Sequence, residues 1–255
     1  MDNEMCCELM EDVSKQISTI VTYDSIIALG SGPFIRFLVT EFTRRAAEIK
    51  KKRIQFHCTK TWVQEALAAH GIIAFQYENA SQIPRIDYYF ESPDVVCELD
   101  DPKKPIFIKS DFECRFSGML MKKSRCVYLV TTGTHVTAQN IRGIPMELSN
   151  GIQGLDFMHL WVKEKGGLIR FRKNAIRESD RIYVEWVPYP VGKANMLLKN
   201  VSWPSIQLEL NSISGVLAHN LFALPNCRLL ESCAHFVEED YKPLFDKKWA
   251  TGRKI

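Results

Sequence analysis

Apolar positions follow different spacings in the two halves of the chain. In the first half, short unbroken apolar runs alternate with segments whose apolar residues recur at helical spacing. The runs predict buried strands at Ser25–Gly30, Arg53–Cys58, Ile86–Phe90, Pro105–Ile108 and Cys126–Val130, and the helical spacing predicts helices at Cys6–Val21, Pro33–Lys50 and Thr61–His70. Repeated strand and helix units of this kind predict an α/β fold, Rossmann-like, with a mostly parallel sheet and helices on both faces.

The pattern changes beyond about residue 143, where apolar and polar residues alternate as in strands with one solvated face. Such strands are predicted at Pro145–Leu148, Leu168–Phe171 and Arg181–Val187, with helices at Leu155–Lys165 and Ser205–Ser212. We therefore predict a smaller inserted α+β domain over residues 143–222. The Rossmann-like domain comprises residues 1–142 and 223–255, and the chain returns to it through Cys227–Leu230.

The turn Gly30-Ser31-Gly32 joins the first predicted strand to the helix that begins at Pro33. The first N–H groups of a helix have no partner inside the helix, so such a junction can bind an anion. Proline has no N–H to donate, and Phe34 has no hydroxyl. The sequence thus indicates a phosphate-handling fold whose phosphate loop is altered.

Composition excludes several classes of protein. The 255 residues contain 33 Lys and Arg against 30 Asp and Glu, and no apolar run is long enough to span a membrane. We expect neither a nucleic-acid partner nor a membrane partner. The eight cysteines have no paired metal-ligand spacing, and the N-terminus lacks the basic start of a signal peptide, so we expect a reducing, cytoplasmic location.

Several motifs together resemble type A ribose-5-phosphate isomerase over roughly Cys6–Glu238. They are the glycine turn at Gly30, Ile108-Lys109, Gly166-Gly167 with Arg172, and the segment Leu210–Val216 followed by Leu221-Phe222. The resemblance implies conversion of ribose 5-phosphate to ribulose 5-phosphate through an enediolate, in the non-oxidative pentose phosphate branch. It implies no cofactor and no metal, and a ferredoxin-like inserted domain that serves as a lid or in oligomerisation. It also implies a homo-oligomer or pairing with a paralogue.

The same resemblance assigns site residues. Glu91-Ser92-Pro93-Asp94 replaces the family's Asp-Gly-Ala-Asp motif, so Glu91 and Asp94 are the retained carboxylates and Glu91 is one methylene longer. Lys109 is the candidate for stabilising the oxyanion. The predicted substrate-binding residues are Gly30, Ser31, Gly32, Ser110 and His135, of which Ser110 replaces a family glycine and His135 a family lysine.

The catalytic base of the family is missing. Its glutamate position is Gly118, or Ser117 if the register shifts, and the nearby carboxylates are Asp111 and Glu113. Loss of a positioned base costs roughly 10²–10⁴ in rate. We expect isomerase activity to be weak or lost. Three alternatives stay open: an isomerase that uses Glu113 as its base, a non-catalytic paralogue that acts as a scaffold or subunit partner, and a binder of another small phosphorylated ligand.

Overall fold

A computed structural model describes residues 16–76, 82–97, 106–109, 114–131, 143–149, 152–171, 181–188, 202–224 and 226–231. Residues 16–20 are helical. The remaining helices are α1 Pro33–Arg44, α2 Ala46–Lys51, α3 Thr61–Ala68, α4 Cys114–Lys123, α5 Ile152–Lys165 and α6 Trp203–Ser212. The strands are β1 Ile26–Leu29, β2 Gln55–Cys58, β3 Ala74–Phe75, β4 Ile86–Glu91, β5 Val95–Cys97, β6 Ile106–Ile108, β7 Ser124–Thr131, β8 Ile144–Ser149, β9 Leu168–Phe171, β10 Arg181–Val187, β11 Val216–His219, β12 Leu221–Ala223 and β13 Cys227–Glu231.

The main sheet has six strands in the order β13-β7-β4-β1-β2-β3, and every neighbouring pair is parallel. Successive residues of its strands point to opposite faces. Ile27 and Leu29 of β1 pack in one core with α1 and α3, whereas Ala28 packs in a second core with Leu120 and Met121 of α4. Helices therefore cover both faces, and the predicted Rossmann-like α/β sheet is confirmed.

The order of this sheet places β1 between β2, which follows it in the chain, and β4. The carboxyl ends of β1 and β4 therefore lie side by side at the point where the strand order reverses. Ligands of open α/β sheets bind at such a switch point. The glycine turn follows β1 directly, and Glu91 is the last residue of β4.

The prediction for Pro105–Ile108 was wrong in one respect, because β6 does not belong to the main sheet. It is the middle strand of a separate antiparallel sheet with the order β12-β6-β5. Ile106 and Ile108 pack in the core of the inserted domain, whereas Phe107 packs in the core against α4. Both faces of β6 are buried, which gives the unbroken apolar run typical of a central parallel strand.

The inserted domain has the order strand, helix, strand, strand, helix, strand, from β8 to β11. Its antiparallel sheet has the strand order β11-β8-β10-β9, which is the ferredoxin-like arrangement. Its core contains Met146, Trp161, Trp186 and Leu210. The predicted elements agree with the structure to within a few residues, whereas the domain limits at 143 and 222 stay a prediction.

The predicted helix Pro33–Lys50 is divided at Arg45, whose φ of −101° and ψ of 25° end α1 and precede α2. The Arg45 guanidinium donates to Ser18 Oγ at 2.6 Å and to Glu48 at 2.7 Å. These contacts hold the break in place. In the part of the chain that the structure describes, no helix combines the length and apolar character needed to cross a bilayer.

Candidate functional site

The turn after β1 is held in place by its backbone. The Gly30 N–H donates to the Phe90 carbonyl at 2.9 Å, and the Arg36 N–H donates to the Gly32 carbonyl at 3.2 Å as the first helical hydrogen bond of α1. Gly32 has φ +110°, which residues with a Cβ rarely adopt. The turn and the N-terminus of α1 thus lie against the end of β4.

Glu91 points its carboxylate into this turn and is fully buried. Its Oε1 accepts the Ser31 N–H at 3.0 Å and the Ser92 N–H at 3.1 Å, and its Oε2 accepts the Tyr89 hydroxyl at 2.7 Å. Three donors to one buried carboxylate offset the cost of removing it from water. The glutamate therefore already uses a backbone donor of the glycine turn.

Gly30 is needed for this arrangement. A Cβ at residue 30 would lie 2.3 Å from Glu91 Oε2, closer than real Cβ atoms approach other atoms. A Cβ at Gly32 would lie 2.9 Å from the Ser92 Cβ. The absence of a side chain at both glycines therefore leaves space for the side chains of Glu91 and Ser92.

Lys109 follows β6 and is 3% exposed. Its Nζ donates to the Ser92 carbonyl at 2.7 Å and to the Ser31 carbonyl at 3.3 Å. The same atom lies 3.4 Å from Glu91 Oε1 and 3.7 Å from Asp94 Oδ2. Lys109 therefore joins the glycine turn, the end of β4 and the segment that leads into β5.

Asp94 lies at the solvent side of this cluster, where 43% of its side chain is exposed. Its N–H donates to the Ile108 carbonyl at 3.1 Å, and the Lys109 N–H donates to the Asn220 carbonyl at 3.2 Å. The small antiparallel sheet thus fixes both Asp94 and Lys109. Of the two predicted carboxylates, Asp94 is the one that can reach a ligand from solvent.

Six predicted site residues come together in this cluster: Gly30, Ser31, Gly32, Glu91, Asp94 and Lys109. Ser110 and His135 lie outside the described residues, as do Asp111 and Glu113. The sequence analysis missed the contributions of Tyr89 and of the Ser92 backbone. Tyr89 is two residues before Glu91 on β4 and so projects to the same side of the strand, which is the signal that could have identified it.

The two candidate positions for the missing base lie on α4. Ser117 is 3% exposed, and a Cβ at Gly118 would lie 3.5 Å from the Phe222 ring. Gly118 lines a cavity between α4 and α6 together with Lys122 and His219, which we call the α4–α6 cavity. Neither carboxylate of the cluster nor Lys109 lines this cavity. Gly118 therefore borders the α4–α6 cavity, whose lining does not include the residues of the buried cluster.

Known structures share this architecture, although no protein-family model matches the sequence and no curated protein matches it. A D-ribose-5-phosphate isomerase in complex with phospho-erythronic acid superposes with a TM-score of 0.69 at 14% identity, covering 91% of this chain and 96% of that one. Ribose 5-phosphate isomerase A from Neisseria gonorrhoeae gives a TM-score of 0.67 at 17% identity, with coverages of 88% and 92%. The enzyme from Methanocaldococcus jannaschii gives 0.66 at 16% identity, with coverages of 91% and 96%.

These likenesses define the class of fold: a Rossmann-like sheet with an inserted ferredoxin-like domain, over almost the full length of both chains. The particular fold is that of ribose 5-phosphate isomerase A. The resemblance predicted from the motifs is thus confirmed for the fold.

Proposed function

We propose that this protein has the fold of a ribose-5-phosphate isomerase and retains weak isomerase activity or none. The observation that carries the proposal is the hydrogen bond from the Ser31 N–H to the buried Glu91 carboxylate. The Glu91 carboxylate takes up a donor that a phosphate at this turn would require. A phosphate entering the turn would also meet this negative charge in a buried, poorly screened setting.

The state of Lys109 supports the same conclusion. Isomerisation through an enediolate requires a cation or hydrogen-bond donor directed at the developing oxyanion. An ammonium group has three N–H donors, and that of Lys109 already donates to two carbonyls and lies within 4 Å of two carboxylates. Its charge is therefore neutralised within the protein, which leaves little capacity for an oxyanion.

The position of the base is a third support. Glycine at residue 118 carries no side-chain proton acceptor, and a Cβ added there would meet the Phe222 ring at 3.5 Å. Proton abstraction from C2 of the sugar needs a side chain within hydrogen-bond reach of that carbon. Asp94 is the exposed carboxylate of the cluster, but its neighbour Lys109 holds it as an ion-pair partner.

The test is turnover of ribose 5-phosphate by the purified full chain, prepared from a host that lacks its own isomerase, with Lys109→Met and Lys109→Arg measured beside it. We expect weak conversion or none by the unmodified protein, and a similar rate in both variants. Turnover by the unmodified protein that Lys109→Met abolishes and Lys109→Arg partly retains would overturn the proposal, and circular dichroism verifies that each variant is folded.

A second candidate role is that of a subunit in an assembly of copies of this chain. Large apolar side chains are exposed on the inserted domain: Phe157 (47%) and Leu160 (64%) on α5, and Leu168 (41%) and Phe171 (53%) on β9. Among the described strands β9 forms the edge of its sheet. An edge strand with apolar side chains can pair with the same strand of a second copy about a two-fold axis.

Light scattering across a range of protein concentrations tests this role. We expect an oligomer, and we expect Phe157→Ser with Leu160→Ser to shift it toward the monomer. The control Leu208→Ser changes an exposed leucine on α6 and should leave the mass unchanged. A monomeric unmodified protein would contradict the role.

A further inference from the structure

Helix α5 carries a row of exposed side chains with charges of opposite sign at its two ends. The residues of α5 that pack in the core of the inserted domain are Met158, Trp161 and Val162. Asp156, Leu160 and Lys163 are exposed instead, and Leu160 is 64% exposed. Residues three and four apart lie on the same side of a helix. The three exposed side chains therefore form one row: an acid, a leucine and a base.

The two charges of this row are not used within the described part of the chain. Neither Asp156 nor Lys163 forms an ion pair or a hydrogen bond with another described residue. The next two charges on the helix are used, because Lys165 lies 3.6 Å from Glu164 and 2.9 Å from Glu209. Lys163 is therefore the cation at this end of α5 that can pair with another molecule.

The row is complementary to itself under a two-fold rotation. Along the helix axis Asp156 lies about 6 Å before Leu160, and Lys163 lies about 4.5 Å after it. When two copies of α5 pack antiparallel and meet at Leu160, Asp156 of each helix is at the level of Lys163 of the other. A parallel arrangement would place like charges side by side, which is unfavourable.

The same axis is compatible with the edge of the inserted sheet. Helix α5 packs on this sheet, against β8 and β9, and β9 is the edge among the described strands. A two-fold axis perpendicular to the sheet that makes two β9 strands antiparallel also brings two α5 helices together in antiparallel directions. Phe157, which is 47% exposed, lies beside Leu160 on the helix and adds apolar surface to this contact.

We propose that α5 lies at the centre of a two-fold interface between two copies of this chain. Leu160 packs on Leu160 of the second copy, and Asp156 and Lys163 form two ion pairs between the copies. This inference rests on the assembly proposed above and specifies the orientation of its two helices. Charged groups across an interface determine orientation and exclude wrong partners more than they add affinity.

Charge reversal tests the two ion pairs. Asp156→Lys makes both ends of the row basic, and Lys163→Asp makes both ends acidic, so each variant opposes like charges across the axis. We expect each to raise the dissociation constant of the dimer about tenfold or more, measured by sedimentation velocity at low salt. The double variant Asp156→Lys with Lys163→Asp exchanges the charges and should return to within about threefold of the unmodified protein.

A mixture of the two single variants removes the repulsion without any further substitution. Every contact between one variant and the other joins an acid to a base, so we expect an equimolar mixture to assemble more tightly than either variant alone. The control Glu65→Lys reverses an exposed charge on α3 and should leave the dissociation constant within about twofold of the unmodified protein.

The outcomes separate this geometry from the assembly itself. An unmodified protein that stays monomeric at every concentration would overturn both. An oligomer that neither single variant weakens, or a mixture that assembles no better than its components, would overturn the α5 interface and leave the assembly in place. Equal weakening by Glu65→Lys would overturn the interface in favour of a general effect of net charge.

Discussion

The Nζ atom of Lys109 lies 3.4 Å from Oε1 of Glu91, and both side chains are removed from solvent. The cost of removing two charges from water is offset only where the geometry of the ion pair is good and the remaining hydrogen-bonding groups have partners. Here Tyr89, Ser92 and the glycine turn supply those additional partners. The pair thus joins three chain segments at the switch point of the sheet.

Removing one member of this pair is expected to destabilise the fold. Lys109→Met should lower the free energy of unfolding by about 3–5 kcal/mol, because it leaves the Glu91 carboxylate buried without a cation. Urea denaturation measures this effect. The control Lys123→Met, at an exposed lysine of α4, should change it by less than about 0.5 kcal/mol. If Lys109→Met cost less than about 1 kcal/mol, the pair would not have the structural role that its burial indicates.

The double variant Glu91→Gln with Lys109→Met tests whether the two side chains stabilise the fold through their contact with each other. The quantity compared is the free energy of unfolding of the two single variants and of the double variant. Because it removes both charges, we expect it to recover part of the stability that Lys109→Met loses. Strictly additive losses in the double-variant cycle would mean that the two side chains do not interact.

The effect of a glycine-to-alanine substitution on stability should differ strongly between Gly30 and Gly118. Gly30→Ala should destabilise the protein by more than about 3 kcal/mol, because its Cβ would lie 2.3–2.5 Å from the Glu91 carboxylate. Gly118→Ala meets only the Phe222 ring at 3.5 Å and should stabilise α4 by about 0.5–1 kcal/mol. Thermal unfolding of the two variants compares them directly, and similar melting temperatures would contradict the close approach of Glu91 to the turn.

Acid should weaken the fold through two buried histidines. Burial lowers the pKa of His57 and of His219 from 6.5 to about 4, so in the unfolded chain each binds a proton at a higher pH than in the folded protein. The folded protein therefore has its full stability with respect to these two histidines above pH 6.5, and the free energy of unfolding decreases as the pH falls toward 4. The loss reaches about 3 kcal/mol per histidine.

Urea midpoints measured between pH 7 and pH 4.5 test this dependence. His57→Gln should remove about half of the decrease over that interval, because glutamine does not titrate. A midpoint that stays constant through the interval in the unmodified protein would contradict the burial of both rings as neutral groups.

Much of the fold could be predicted from the sequence, because its elements have clear periodicity. The alternating strands of the inserted domain were predicted to within one or two residues, and the glycine turn was placed correctly between β1 and α1. Ile106–Ile108 was assigned to the wrong sheet, because burial on both faces gives the same apolar run in either setting.

The location of the site could be predicted from the sequence, but the hydrogen-bond partners of its side chains could not. The motifs place Ser31, Glu91 and Lys109 at or just after strand ends, and two of those strands, β1 and β4, are neighbours in the main sheet, whereas β6 belongs to the small antiparallel sheet. The Glu91 carboxylate accepts a hydrogen bond from the N–H of Ser31, which is 60 residues earlier in the chain. The Lys109 ammonium donates to the carbonyl of the same serine, which is 78 residues earlier. Local sequence patterns carry no information on contacts of this range, which tertiary packing decides.

Restoring a glutamate at the family's base position is not expected to restore activity. Gly118→Glu would place a carboxylate beside Phe222 and the α4–α6 cavity, where Lys122 would pair with it. We expect no turnover of ribose 5-phosphate by this variant, measured by the same assay as the unmodified protein. A rate increase of about 10²-fold or more would mean that residue 118 does reach the sugar carbons.

The most direct test of the central claim is the amide signal of Ser31 in an NMR titration with ribose 5-phosphate. The Ser31 N–H already donates to Glu91, so we expect its chemical shift to stay constant at ligand concentrations up to about 10 mM. A saturable shift of the Ser31 amide, together with the amides of Gly30 and Gly32, would contradict the account, because the turn would then bind the phosphate in spite of Glu91.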